Sequence, residues 1–97
     1  MLKSMLVLAV ALIPCGAFAA DADNGRRLAQ SHCAGCHIVA PGARSEVAAA
    51  PPFEAIARKY GEAAAVAQAI TGPHPRMNFA PPPADAADIA AYIATLR

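Results

Sequence analysis

The chain has 97 residues, enough for one small domain, and a formal net charge of +1 from eight basic and seven acidic side chains. So near-neutral a balance excludes the broad basic surface that holds nucleic acid or acidic membranes by charge alone. Hydrophobic residues make up 57% of the chain, a figure inflated by its first segment.

Residues 1–19 read MLKSMLVLAVALIPCGAFA. Lys3 supplies a positive start, and Met5 to Ile13 is an unbroken apolar run. Pro14 and Gly16 break that run, and Ala17-Phe18-Ala19 fits the A-x-A cleavage pattern. The run is too short to span a bilayer, which takes about 20 residues. The expectation is a Sec-type signal peptide over residues 1–19, cut after Ala19. A periplasmic domain over residues 20–97 would follow, with no stable membrane insertion after cleavage. An uncleaved interfacial anchor and lipidation at Cys15, behind a poor Ile13-Pro14 lipobox, are the rival readings. Loss of Lys3 brings the charges into balance and leaves Lys59 as the one lysine of the domain. A domain this small buries a limited core and commonly needs a staple. Cys33 and Cys36 lie too close together for a disulfide between them to restrain much of the unfolded chain, so the staple should be larger.

No internal repeat is visible. Asp21 to His32 (DADNGRRLAQSH) is expected to form a first helix. Asp23 or Asn24 can cap it, with Asp21 and Asp23 on the favourable side of its dipole. Residues 39–52 are rich in Ala, Pro and Gly and aperiodic, and read as a loop. Phe53, Ile56 and Tyr60 recur at i, i+3 and i+7 in a second helix closed by Gly61. A third follows from Glu62, with Val66 and Ile70 four apart and Gly72 as its stop. Residues 73–83 (PHPRMNFAPPP) hold five prolines in eleven positions, which bars both helix interior and central strand. A last helix is expected from Asp85, as its cap, with Ile89, Tyr92, Ile93 and Leu96 on one face. No stretch alternates with period two. The fold class is therefore all-α, about four short helices with long loops. Loops of this length are uncommon in a compact domain unless they bind something.

The chemistry concentrates in Cys33-Ala34-Gly35-Cys36-His37. A structural zinc site needs four ligands, and no second Cys/His pair exists; His32 and His74 stand at no recognised spacing. Thiol–disulfide exchange wants this motif at a helix start within a βαβ pattern, and the chain shows no strands. Cys-x-x-Cys-His is the attachment signature of c-type haem. Two thiols three apart on a helical turn reach the two vinyl groups on one porphyrin edge, and the next imidazole points at the iron. Attachment outside the cytoplasm agrees with the leader. Cys33 and Cys36 are thus the expected covalent anchors and His37 the proximal iron ligand. Met77 is the one methionine after the leader and the expected distal ligand; His/Met ligation raises the reduction potential. A lone methionine is ordinarily core packing, but Met77 lies off every helical stripe. His74 is its competitor, and a five-coordinate or water-ligated iron is the third possibility. His32 reads as a partly exposed residue ending the first helix. Arg44 and Arg76 are loop cations, either solvated or paired with a haem propionate. The stripe residues, with Phe79, form the expected apolar shell, most of it plain core.

With these residues in place the chain resembles class I cytochrome c, in its small single-haem bacterial form, over essentially all of residues 20–97. Beyond the CAGCH motif, Gly25 stands eight residues before Cys33, and Tyr92 lies in a last helix, ADIAAYIATLR from Ala87, much like that of the family. The resemblance implies that the glycine and the aromatic let the terminal helices cross closely. It implies a distal methionine where Met77 lies, and a proline carbonyl, of Pro51 or Pro52, bonded to the proximal imidazole. One covalent haem c would then serve a one-electron carrier between protein redox partners, a donor and an acceptor. Such a carrier is not an enzyme in its own right, and would be a monomer or part of a redox complex. The rivals are a haem with an open or labile distal site that binds a gas or acts on peroxide, and a docked subunit of a larger oxidoreductase. The chain departs from the family pattern in lacking proline beside Met77, in its short His37–Met77 segment, and in lacking a ring of lysines for docking acidic partners.

Overall fold

The structure, a computed structural model, describes residues 7–9, 19–45, 50–72, 74 and 79–97. Met77, Arg76 and most of the expected leader lie outside them. The described residues form four helices and no strand: α1 (Ala22–His32), α2 (Phe53–Tyr60), α3 (Ala63–Thr71) and α4 (Pro83–Ala94). The all-α expectation holds. None of these helices is long and apolar enough to cross a membrane.

Two expected caps are corrected. The N-cap of α1 is Asp21 rather than Asp23 or Asn24: its carboxylate accepts the Asn24 N–H at 3.1 Å. Asp23 falls inside the first turn, where its charge still favours the helix dipole. Helix α4 starts ahead of Asp85, with Pro82 as N-cap and Pro83 as first helical residue. Proline suits that position because its φ is preset and its missing N–H would be unbonded there anyway. The Pro82 carbonyl accepts the Ala86 N–H at 2.9 Å, so Asp85 lies in the first turn and caps nothing. Helix α2 stops where expected. Gly61 has φ of 71°, the left-handed conformation that glycine adopts without a Cβ penalty.

Helix α4 organises the rest, packing chiefly against α1 and α3. It meets α1 at very short range. A Cβ built on Gly25 would stand 1.9 Å from the Asp88 carbonyl oxygen, so only glycine fits. Ala29, one turn further along α1, is completely buried. The crossing is pinned at its edge by the Asp88 carboxylate. It accepts the Asp21 N–H at 2.7 Å and an Asn24 Nδ2–H at 2.8 Å. One turn on, Tyr92 donates its O–H to the Val39 carbonyl at 2.6 Å, in a buried bond. Phe53, Ala57 and Val66 complete the core with Ile89, Ala90 and Ile93. Burying a side chain such as Phe53 or Ile89 contributes roughly 1.5–3 kcal/mol. Ile56, Ile70 and Leu96 pack against this core half-buried. Tyr60 lies outside the closed core but lines a cavity with other shell residues. It ends α2, is 39% exposed, and has the Lys59 ammonium 5.4 Å from its ring centroid.

The crossing makes two predictions. Gly25→Ala forces the helices apart; a well-packed site answers such overpacking with a loss of about 3 kcal/mol, or a Tm drop of more than about 10 °C in thermal melts of the holoprotein. Asp88 gives a pH signature. The hydrogen bond from the Asn24 side chain, then that from the Asp21 backbone, holds its carboxyl below the ordinary 3.8. A lowered folded value means that its contribution is present at neutral pH and is lost as pH falls below about 4. Asp88→Asn should therefore be less stable than the parent at neutral pH, and the gap should close in acid. A gap that stays constant through the acid range would refute the charge contribution.

Candidate functional site

The motif begins where α1 ends. The Ala29 carbonyl accepts both the Cys33 N–H at 2.8 Å and the Ala34 N–H at 3.0 Å. The Cys33 carbonyl then accepts the amides of Cys36 at 3.2 Å and His37 at 2.9 Å. The chain thus rolls from helix into a tight turn that places Cys33, Cys36 and His37 in the wall of one cavity of about 1120 Å³. Phe53, Ile56, Val66, Ile89 and Ile93 supply apolar wall. The site therefore has two thiols at one edge, an imidazole beside them and apolar walls. That donor set suits a large flat cofactor held by its rim and its metal.

The imidazole is oriented by the returning chain. The Ala50 N–H bonds the Cys36 carbonyl at 3.3 Å and the Phe53 N–H bonds the Ile38 carbonyl at 2.9 Å. Between these anchors the Pro51 carbonyl accepts the His37 Nδ1–H at 2.6 Å. A carbonyl can only accept, so Nδ1 carries the proton and Nε2 keeps its lone pair for a metal. Of the two prolines it is Pro51 that does this, because the Pro52 carbonyl already accepts the amides of Ala55 at 3.0 Å and Ile56 at 3.2 Å as α2 starts. Phe53 lies against the imidazole with centroids 5.3 Å apart, and Tyr92 lies 6.4 Å from Phe53 on the edge.

Cys33 and Cys36 form no disulfide. Burial pushes the Cys33 thiol up to about 11, and Cys33 sits at the C-terminal end of a helix. Exchange chemistry needs the opposite, a thiolate stabilised at a helix start. Among the described residues no three His, Cys, Asp or Glu side chains gather to hold a metal ion, so the zinc reading gains nothing either.

The other expected residues fall as follows. His74 lines the same cavity, its ring centroid 6.0 Å from that of His37. Arg44 is exposed, in keeping with a solvated cation. Sequence reasoning missed one pair: His32, exposed at the end of α1, stacks on Phe79 with centroids 3.8 Å apart and planes 10° apart. No local pattern links two residues so distant in the chain. Among the wall residues Phe53 has the most to lose. Phe53→Ala should cost about 3–5 kcal/mol, seen as a lower denaturant midpoint at unchanged m-value.

Known proteins resemble this chain along nearly its whole length. A family model described as cytochrome c oxidase, cbb3-type, subunit III, matches residues 20–93. A cytochrome c-552 from Bradyrhizobium diazoefficiens is 44% identical over 94 residues, covering 95% of this chain and 90% of that one. A cytochrome c-553-like protein from Synechocystis sp. is 30% identical over 104 residues, covering 96% and 95%. No solved structure matches. On the motif, the helical frame and these likenesses together, the chain belongs to the cytochrome c family, as a small bacterial single-haem class I member with covalently attached haem c.

Proposed function

We propose that the chain is exported, sheds residues 1–19, and works in the periplasm as a one-electron carrier with His37 and Met77 as axial ligands. The observation that carries this reading is the 2.6 Å bond from His37 Nδ1 to the Pro51 carbonyl, made in the wall that also holds Cys33 and Cys36. It frees Nε2 for iron and fixes the plane of the ring. When bound, haem supplies an iron that shuttles between ferric and ferrous. Cys33 and Cys36 would hold it by two thioethers, so that it cannot be lost outside the cytoplasm. His37 would bind from one face. Met77 would close the other, from a segment stiffened by the prolines on either side of it. With both axial positions filled by its own side chains, the chain has no ligand bond to make or break as an electron passes, so little reorganisation opposes transfer.

The leader reading rests on Lys3, the apolar run to Ile13 and Ala17-Phe18-Ala19. Redox proteins are the partners, a donor and an acceptor, met through small transient contacts. We favour a free carrier over a docked subunit because the two curated relatives, spanned almost end to end, are named as cytochromes, although the family model is described as an oxidase subunit. We take the protein to be a carrier and not an enzyme.

Visible spectra of the purified exported protein test this. The reduced form should show sharp c-type bands. The oxidised form should show a weak far-red band from iron–sulfur bonding, and carbon monoxide should leave the reduced spectrum unchanged. A missing far-red band with a rapid carbon monoxide shift would remove Met77 from the iron and overturn the closed-site carrier.

A further inference from the structure

Met77 is not the only side chain with a lone pair in its segment. His74 precedes it by three residues and lies in the wall of the cavity that holds His37. The two imidazole centroids are 6.0 Å apart, with the planes inclined at 67°. Two imidazoles that bind one metal from opposite sides, each through a bond of about 2.0 Å, place their centroids roughly 6 Å apart. Their planes can take any mutual inclination, because each ring turns freely about its own metal–nitrogen bond. His37 meets the requirement from its side, since Pro51 engages Nδ1 and leaves Nε2. His74 is carried close to this place by the chain on both sides. Just before it, Gly72 N–H bonds the Gln68 carbonyl at 3.1 Å and Thr71 Oγ1–H is within 3.1 Å of the Ala67 and Gln68 carbonyls. Beyond it, Phe79 is held by its stack on His32, and Pro81 is buried. His74 is itself exposed.

We propose that His74 is a second distal ligand, which takes the iron position opposite His37 whenever Met77 does not hold it. The inference rests on the reading of His37 as proximal ligand and adds a second ligation state to the same site. In that state the distal side stays closed to small ligands. The reduction potential falls, because a thioether opposite histidine favours the ferrous form more than a second imidazole does. The chain then has two potentials rather than one, selected by which residue of its proline-rich segment reaches the iron. The plainer account of the 6.0 Å approach is an aromatic edge contact, for which the distance is equally ordinary.

Holoprotein variants decide between the two accounts. Met77→Ala should keep a low-spin ferric spectrum by electron paramagnetic resonance. The double variant Met77→Ala/His74→Ala should turn high-spin and bind carbon monoxide at once when reduced. Carbon monoxide should bind to reduced Met77→Ala on the order of tenfold or more slowly than to the double variant, because it meets only the open fraction. Added imidazole should restore the low-spin spectrum of the double variant, which shows that the lost group was a ligand and not a support for the fold. A Met77→Ala protein that is already high-spin and binds carbon monoxide as fast as the double variant would overturn the proposal. The far-red band of the parent reads the Met77 assignment separately. If that band is missing, the carrier reading loses its distal ligand, while the comparison between the two variants still reports on His74.

Discussion

The Pro51 carbonyl accepts the proton of His37 Nδ1 at 2.6 Å, and much of the local structure follows from that need. The acceptor must come from backbone that is spoken for by no other donor. A helix interior offers no such carbonyl and neither does a central strand. A diproline at a helix start does. Neither proline has an N–H to pair, so Ala50 and Phe53 on either side make the anchoring bonds to the Cys36 and Ile38 carbonyls. The Pro52 carbonyl is committed to the first turn of α2. Pro51 precedes another proline, which favours extended backbone, and its oxygen bonds the ring. The same junction places Phe53 beside the imidazole, so the element that orients His37 also shields it.

His37 must also be fixed from the other direction, and the α1–α4 crossing does that. The motif hangs from the end of α1 through the Ala29 carbonyl. Helix α1 lies against α4 with no room for a Cβ at Gly25. Helix α4 in turn holds the segment after the motif, through the Tyr92 hydroxyl on Val39. The turn of Cys33 to His37 is therefore clamped before and after by one helix from the far end of the chain. Contacts between distant parts of the sequence set the site, and short helices with unremarkable cores suffice to carry it.

What the sequence made legible, and what it did not, divides along the same line. The attachment motif and the all-α class could be read because each rests on local spacing, whereas the places of Gly25 and Tyr92 came from the resemblance to class I cytochrome c. The choice between Pro51 and Pro52 could not be read, since it turns on which carbonyl α2 consumes. The α1 cap was misplaced for a related reason. Asp21, Asp23 and Asn24 can all cap, and Asp88, sixty-four residues beyond Asn24, decides by engaging the Asn24 side chain and the Asp21 amide. Tyr60 keeps the helical periodicity and, at the last position of α2, lies in the cavity wall and not in the closed core. The His32–Phe79 stack joins two segments with no pattern in common. Met77 falls outside the described residues, and its role rests on its place in the sequence.

Charge in the cavity wall points the iron couple in one direction. Among the described lining residues Lys59 is the single Lys, Arg, Asp or Glu, and it is exposed. The rest of the wall is mainly alanine, proline, branched aliphatic and aromatic side chains, with three histidines. An apolar surround disfavours the oxidation state with the greater charge, which here is the ferric one, and a nearby ammonium disfavours it further. No carboxylate in the described wall opposes either effect. The residues that close the core would therefore also bias an iron couple held in this cavity towards the reduced form.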